Sequence, residues 1–236
     1  MLGEAINTLV NRAINESESK KRMKSIVDVL RDWIVRENET EYQPIGVLNR
    51  GRGAFHKEAL RGQDLGDSDF FHIESNALLL SGQFAWEGAV AITEESESGC
   101  IASHRYYAVR GRDGECRTEY LWAMFQTAFG NMLLNDCSHG AAGRNKPLNF
   151  NELMNEYIPL PTIDIQDEIA KYVRLFLYMR KKHKDTETLL HEYRTRLISD
   201  VVTGKLDVRG VVVPEYEAVE ESTGEMDEID LLESEV

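Results

Sequence analysis

The stretch that decides the fold is Thr162–Thr203, TIDIQDEIAKYVRLFLYMRKKHKDTETLLHEYRTRLISDVVT, which contains neither glycine nor proline. Apolar residues recur in it at steps of three and four: Ile165, Ile169, Val173 and Phe176, then Leu190, Tyr193, Leu197 and Val201. That period lays them along one stripe of an α-helix, and Gly204 supplies a C-terminal stop. About 40 residues at 1.5 Å each make a rod of roughly 60 Å, longer than the domain before it is wide. A narrow seam on such a rod needs a second helix to cover it. The charged run Arg180–Asp185 interrupts the seam, either as a solvated stretch or as a kink.

Upstream the texture is different. From Pro44, short apolar stretches (45–48, 70–73, 77–80, 89–92 and 106–109) alternate with glycine and charge at 49–53, 62–66, 81–82, 94–99 and 111–114. That pattern predicts a small sheet, mostly antiparallel, with working loops. Tyr120–Leu134 reads as one amphipathic helix. Asn149 and Glu152 read as the cap of a short turn, and Tyr157–Leu160 as an edge strand, because Pro159 and Pro161 cannot donate to a ladder. At the start, Leu2, Ile6, Leu9, Val10 and Ala13 stand at helical spacing, and residues 25–36 form a second short helix or a helix–strand pair. The fold class is α+β: a domain with a small mixed sheet and a few helices, followed by a long coiled-coil-type helix. The expected division is 1–24 as a helical segment, 25–161 as the sheet domain, 162–209 as the long helix and 210–236 as an acidic tail.

The formal charge of −14 argues against nucleic acid until its distribution is considered. Residues 215–236 hold ten acidic side chains and no basic one, which leaves 31 acidic against 27 basic residues in the rest, a net of −4. A segment of the tail's composition cannot bury enough to offset its ordering entropy. The nearly neutral remainder cannot wrap DNA by charge alone, yet it can read a short site if a partner supplies most of the phosphate contacts. No apolar run is long enough to span a bilayer. The first residues lack the charge-then-apolar order of a signal peptide, and three cysteines make no disulfide framework. A cytoplasmic location is expected.

Chemistry-bearing candidates sit in the loops. Arg50 and Arg52 flank Gly51, and an arginine fork matches the O6 and N7 of guanine while glycine permits close backbone approach. His56 stands where a G-x-G-x-x-G nucleotide loop needs its third glycine. Lys57 follows that loop. Arg144, Asn145 and Lys146 lie in a small-residue basic loop that ends in Pro147 where a phosphate-binding loop needs Ser or Thr. Arg105 ends a strand within reach of phosphate. The alternative for each is an ordinary polar connection. Trp86 reads as core packing rather than a stacking platform. Cys100, His104, Cys116, Cys137 and His139 lack a zinc-ligand spacing and read as buried thiols and structural imidazoles. Asp64, Asp67, Asp69 and Glu74 could form a metal-dependent nuclease centre, though solvated loop acids account for them too. No two prolines are adjacent, so the loop that grips a flipped base in DNA amino-methylation is missing.

Five stretches resemble the specificity subunits of type I restriction–modification systems: YQPIGVLNRGRGAFHKEAL (42–60), FAWEGAVAITEESESGCIASHR (84–105), GAAGRNKPLNF (140–150), YIPLPTIDIQDEIAKYV (157–173) and LHEYRTRLISDVVTGKLDVR (190–209). The resemblance implies a non-catalytic target-recognition domain for double-stranded DNA, followed by the family's conserved helix. That helix pairs antiparallel with a second one, from a further half-subunit or another copy, through Ile165, Ile169, Val173, Phe176, Leu190, Tyr193, Leu197 and Val201. It also implies modification methyltransferase subunits that bring S-adenosylmethionine, and a translocating restriction subunit that uses ATP and Mg. No cofactor or metal is expected in this chain. The family reads bipartite sites with two recognition domains, whereas one is present here. Leu2–Glu16, LGEAINTLVNRAINE, resembles the end of a preceding conserved helix, so a half-subunit or the C-terminal half of a split subunit is expected. A coiled-coil decoy without DNA recognition is the alternative from another class, and the metal nuclease is a second.

Overall fold

The computed structural model describes residues 2–140 and 146–211. Arg144, Asn145 and the acidic tail therefore lie outside the described residues. The chain divides into two compact units, Met1–Leu177 and Tyr178–Val236.

The first unit opens with α1 (Leu2–Glu16), which buries Ile6, Val10 and Ala13. β1 (Lys20–Arg22) leads into α2 (Met23–Ile26), β2 (Val27–Leu30) and β3 (Asp32–Trp33), so the helix–strand option holds for this segment. There follow β4 (Glu41–Tyr42), β5 (Ile45–Leu48), β6 (Gly53–His56), β7 (Leu60–Arg61), β8 (Phe70–His72), β9 (Leu78–Ser81), β10 (Val90–Ile92), β11 (Ile101–Ser103) and β12 (Tyr106–Gly111). The chain continues through α3 (Thr118–Phe125), α4 (Ala128–Asp136), α5 (Phe150–Asn155), β13 (Tyr157–Pro159) and α6 (Ile163–Val202). A four-stranded sheet runs β10-β9-β12-β2 and a three-stranded one β11-β8-β3. Pairs β1-β13, β4-β7 and β5-β6 complete the set. Every named pairing is antiparallel, and among the described residues the single parallel contact is an isolated bridge, Pro44–Ile101.

Within the four-stranded sheet β9 and β10 are buried on both faces, which explains why β9 reads as an unbroken apolar run rather than an alternation. Leu78, Leu80, Val90, Ile92 and Val109 face a large core with α1, α3 and the start of α6. Leu79 and Ala108, from the opposite face, join Ile45, Phe71, Ile73 and Ala102 in a second core.

The single helix expected over Tyr120–Leu134 is two. Thr127 ends the extension: its hydroxyl caps α4 by accepting from the Gly130 N–H at 3.2 Å and donates to the Met124 carbonyl at 2.6 Å. α3 is buried on every side rather than on one stripe, while Met132 of α4 is exposed. Asn149 caps α5 from its side chain, as its spacing to Glu152 predicts.

α6 continues as helix through Arg180–Asp185, a solvated stretch, and Gly204 follows it in left-handed backbone at φ +73. Its seam differs from the expected one. Within the first unit the buried stripe is Gln166, Ile169, Ala170, Val173 and Leu177, with Ile165 and Phe176 only partly buried beside it. Ile169 and Val173 are covered by their own chain, so the expectation that they await another helix is corrected: α1 and α3 fill the space that a partner would. From Tyr178 to Val211 no residue is buried, and Leu190, Tyr193 and Leu197 are exposed. No helix among the described residues is long and apolar enough to cross a membrane.

Candidate nucleic-acid interface

The β5–β6 hairpin ends in the turn Asn49–Arg52, and its shape is unusual. Arg50 has φ +58, followed by Gly51 at +65 and Gly53 at +100. Glycine enters the left-handed region freely, whereas a residue with a Cβ is held there at a cost of about 1 kcal/mol or more. The neighbouring turn holds it. The Arg50 N–H donates to the Glu87 carbonyl at 3.0 Å and the Gly51 N–H to the Gly88 carbonyl at 2.9 Å. The Asn49 amide donates to the Glu87 carboxylate. A Cβ at Gly51 would run into the end of the Gln126 side chain, which would have to shift, and a φ of +65 favours glycine there. The backbone is thus locked against Ala85–Gly88 while the Arg50 and Arg52 side chains are exposed.

The same small turn carries Trp86, whose ring lies 5.1 Å from the Lys146 ammonium. Trp86 is partly buried, between the two readings of core packing and open platform, and its indole N–H has no partner among the described residues. Two residues beyond Lys146, the Leu148 N–H donates to the Gly82 carbonyl at 2.7 Å, and the Gly82 N–H to the Arg105 carbonyl at 2.7 Å. Arg50, Arg52, Lys146 and Arg105 therefore belong to one network of touching loops. Lys57 does not: the register Ile45↔His56 puts it at the open end of the hairpin, about 13 Å from the turn at strand spacing.

Charge pairing separates Arg52, Lys57, Arg105 and Lys146 from the structural cations. Arg110 is paired with Glu74, Arg112 with Asp28, Arg117 with Asp167 and Arg174 with Glu119. Among the described residues Arg52, Lys57, Arg105 and Lys146 have no carboxylate partner, and Arg52 donates only to the Asn49 carbonyl. Arg31, which no motif marks, reaches the same network over the Tyr107 ring.

Among the described residues nothing else converges on chemistry. Cys100, Cys116 and Cys137 are buried free thiols, and burial pushes Cys116 and Cys137 up to about 12. Such thiols are poor nucleophiles and poor ligands. His139 faces Glu152 at 2.8 Å, and Glu74 of the acidic set is taken by Arg110. Among the described residues no group of three or more His, Cys, Asp or Glu is placed to hold a metal.

The family model described as type I restriction modification DNA specificity domain matches residues 18–187. The chain belongs to that family. Solved specificity subunits share its fold. The HsdS subunit from Thermoanaerobacter tengcongensis superposes with TM-score 0.56 at 14% identity, over 84% of this chain and 51% of that one. A chain from a structure on complex assembly and conformational transition of the type I R-M system gives 0.54 at 14%, over 85% and 52%. The type I S subunit from M. genitalium gives 0.51 at 11%, over 83% and 54%. This specificity domain thus spans about half the length of those neighbours. No curated protein sequence matches it.

Proposed function

We propose that this chain reads one half of a bipartite DNA site for a type I restriction–modification complex and has no catalytic site of its own. The observation that carries the reading is the loop network itself. Arg50 and Arg52 stand on a backbone held in place by a second turn, and Arg105 and Lys146 adjoin it without carboxylate partners among the described residues. A fixed turn holds an arginine fork at low entropic cost for a guanine edge, and flanking unpaired cations suit phosphate. The exposed residues Leu190, Tyr193 and Leu197, with the partly buried Val201, are the part of α6 that pairs with a second such helix, from another copy or another half-subunit. Methyltransferase subunits dock there and bring S-adenosylmethionine. A restriction subunit brings ATP and Mg.

The test is to sequence methylated sites in cells that express this chain with its methyltransferase. A defined motif is expected, and Arg52→Ala is expected to relax one base position by about 1–3 kcal/mol. DNA methylation that is absent, or that ignores this chain, overturns the reading and leaves a helix-only interaction protein.

A further inference from the structure

Arg31 is the residue between β2, at the edge of the four-stranded sheet, and β3, at the edge of the three-stranded one. The register Ala108↔Leu30 brings it beside Tyr107, and Trp33 follows two residues on. Its guanidinium carbon lies 5.4 Å from the Tyr107 ring centroid and 5.7 Å from that of Trp33. Both rings are fixed in turn. Tyr107 stacks flat on Phe150, with centroids 4.3 Å apart and 3° between planes. Trp33 meets Phe71 edge-on at 5.7 Å and 78°. Arg31 is exposed, Trp33 is 45% exposed, and among the described residues the guanidinium has no hydrogen bond and no ion pair.

Two other arginines show what structural use looks like in the same region. Arg36 also lies over a ring, Phe70, but donates to the Gly66 and Ser68 carbonyls. Arg112 pairs with Asp28 and donates to the Ser25 and Val27 carbonyls. Arg31 is held in position, yet among the described residues its donors are unengaged.

We infer that Arg31, clamped between Trp33 and Tyr107, is a phosphate-gripping residue that extends the DNA contact from the loops onto the sheet edge. The inference rests on the DNA-reading function above. An arginine ordered by ring faces keeps its in-plane N–H donors for an acceptor with two oxygens. The phosphodiester backbone is the acceptor that fits. Tyr107 connects Arg31 to the network of Arg105 and Lys146, and no carboxylate among the described residues occupies the site. A residue flush with a sheet edge, rather than on a protruding turn, meets backbone rather than the floor of a groove.

The experiment measures binding of the full chain, assembled with its methyltransferase, to duplexes with and without the recognised motif at several salt concentrations. Arg31→Ala is expected to weaken both duplexes alike, roughly three- to tenfold, and to make the salt slope shallower by about one unit. Arg31→Glu is expected to weaken both further. Since Arg31 is exposed, circular dichroism of both variants should match the parent. If Arg52→Ala impairs binding while both Arg31 variants bind like the parent, the inference falls and the DNA-reading function stands. If Arg31→Ala instead relaxes one base position with no change of slope, the contact is to a base and the phosphate assignment is overturned. A parent complex that binds no DNA overturns the function itself.

Discussion

Ile163–Leu177 and Tyr178–Val202 are two stretches of one helix with the same three-and-four apolar spacing, yet the first buries Ile169, Val173 and Leu177 and the second buries nothing. The difference lies in what each stretch meets. The first faces α1 and α3, whose Ile6, Val10 and Tyr120 complete a core with it. The second meets no such cover among the described residues. Periodicity thus identifies a helix with an apolar face, but it does not say whether the cover comes from the same chain or from another.

The same charge placed on each half should have opposite outcomes. Val173→Asp buries an unpaired carboxylate, and an uncompensated buried charge costs about 3–5 kcal/mol, most of a domain's usual margin of about 5–15 kcal/mol. Urea unfolding of the full chain is expected to lose its cooperative transition or shift far down. A variant that unfolds like the parent would show that the proximal half is not core.

On the distal half the outcome reverses. Changing Leu190, Leu197 and Val201 together to charged residues alters exposed or half-exposed side chains, where single substitutions stay within about ±0.5 kcal/mol. The urea midpoint of the isolated chain should hardly move. Co-elution with the methyltransferase, or with a second helix, should be lost. Retained co-elution would place the docking surface elsewhere.

Parts of this arrangement are legible in the sequence because they depend on local chemistry. The strands announce themselves through Leu78–Leu80 and Val90–Ile92, the α5 cap through Asn149 and Glu152, and the helix end through Gly204. The arginine turn is legible as Asn49–Gly53, since glycines flank its cations. Other parts depend on pairing and stay hidden. The break at Thr127 falls between two good helical stretches: the Thr127 hydroxyl caps α4 and Gly130 fits close to the Met124 carbonyl, and neither interrupts the apolar pattern that suggests one helix. Arg31 lies in a stretch without glycine or motif, and only the register of β2 on β12 brings Tyr107 beside it. Gln166 is hidden for a related reason: a polar residue three before Ile169 reads as the edge of the stripe, whereas the structure buries it at 1% exposure.

Gln166 also sharpens the contrast between the halves, because the proximal half is anchored by polar contacts as well as by apolar ones. Its carbonyl accepts from the Arg117 N–H at 2.9 Å, and its amide donates to the Pro161 carbonyl at 2.8 Å and the Glu115 carbonyl at 3.2 Å. Gln166→Leu keeps the volume but strands one buried donor and two acceptors. The expected cost is about 1–3 kcal/mol, read as a lower urea midpoint with an unchanged m-value. No loss of stability would mean that water replaces the amide at no cost.

The smallest effect belongs to the ion pair beside that anchor. Asp167 accepts from Arg117 at 2.5 Å and 3.2 Å, and this hydrogen bonding holds its carboxyl below the usual aspartate range, with the Arg117 and Arg174 charges acting the same way. A folded-state pKa below the unfolded one, about 3.9, contributes stability that is fully present above that value and lost as pH falls through the folded pKa. Arg117 stays charged across this range, so the aspartate alone titrates. Asp167→Asn should therefore lower the urea midpoint slightly at pH 7, and the gap to the parent should close as pH drops below about 4. The gap should also narrow in 1 M salt, since the pair is open to solvent and screened there. A gap of the same size at pH 2.5 and pH 7 would mean that the Asp167→Asn variant loses packing rather than charge, and that Gln166 and the apolar stripe alone hold the proximal half of the helix in its unit.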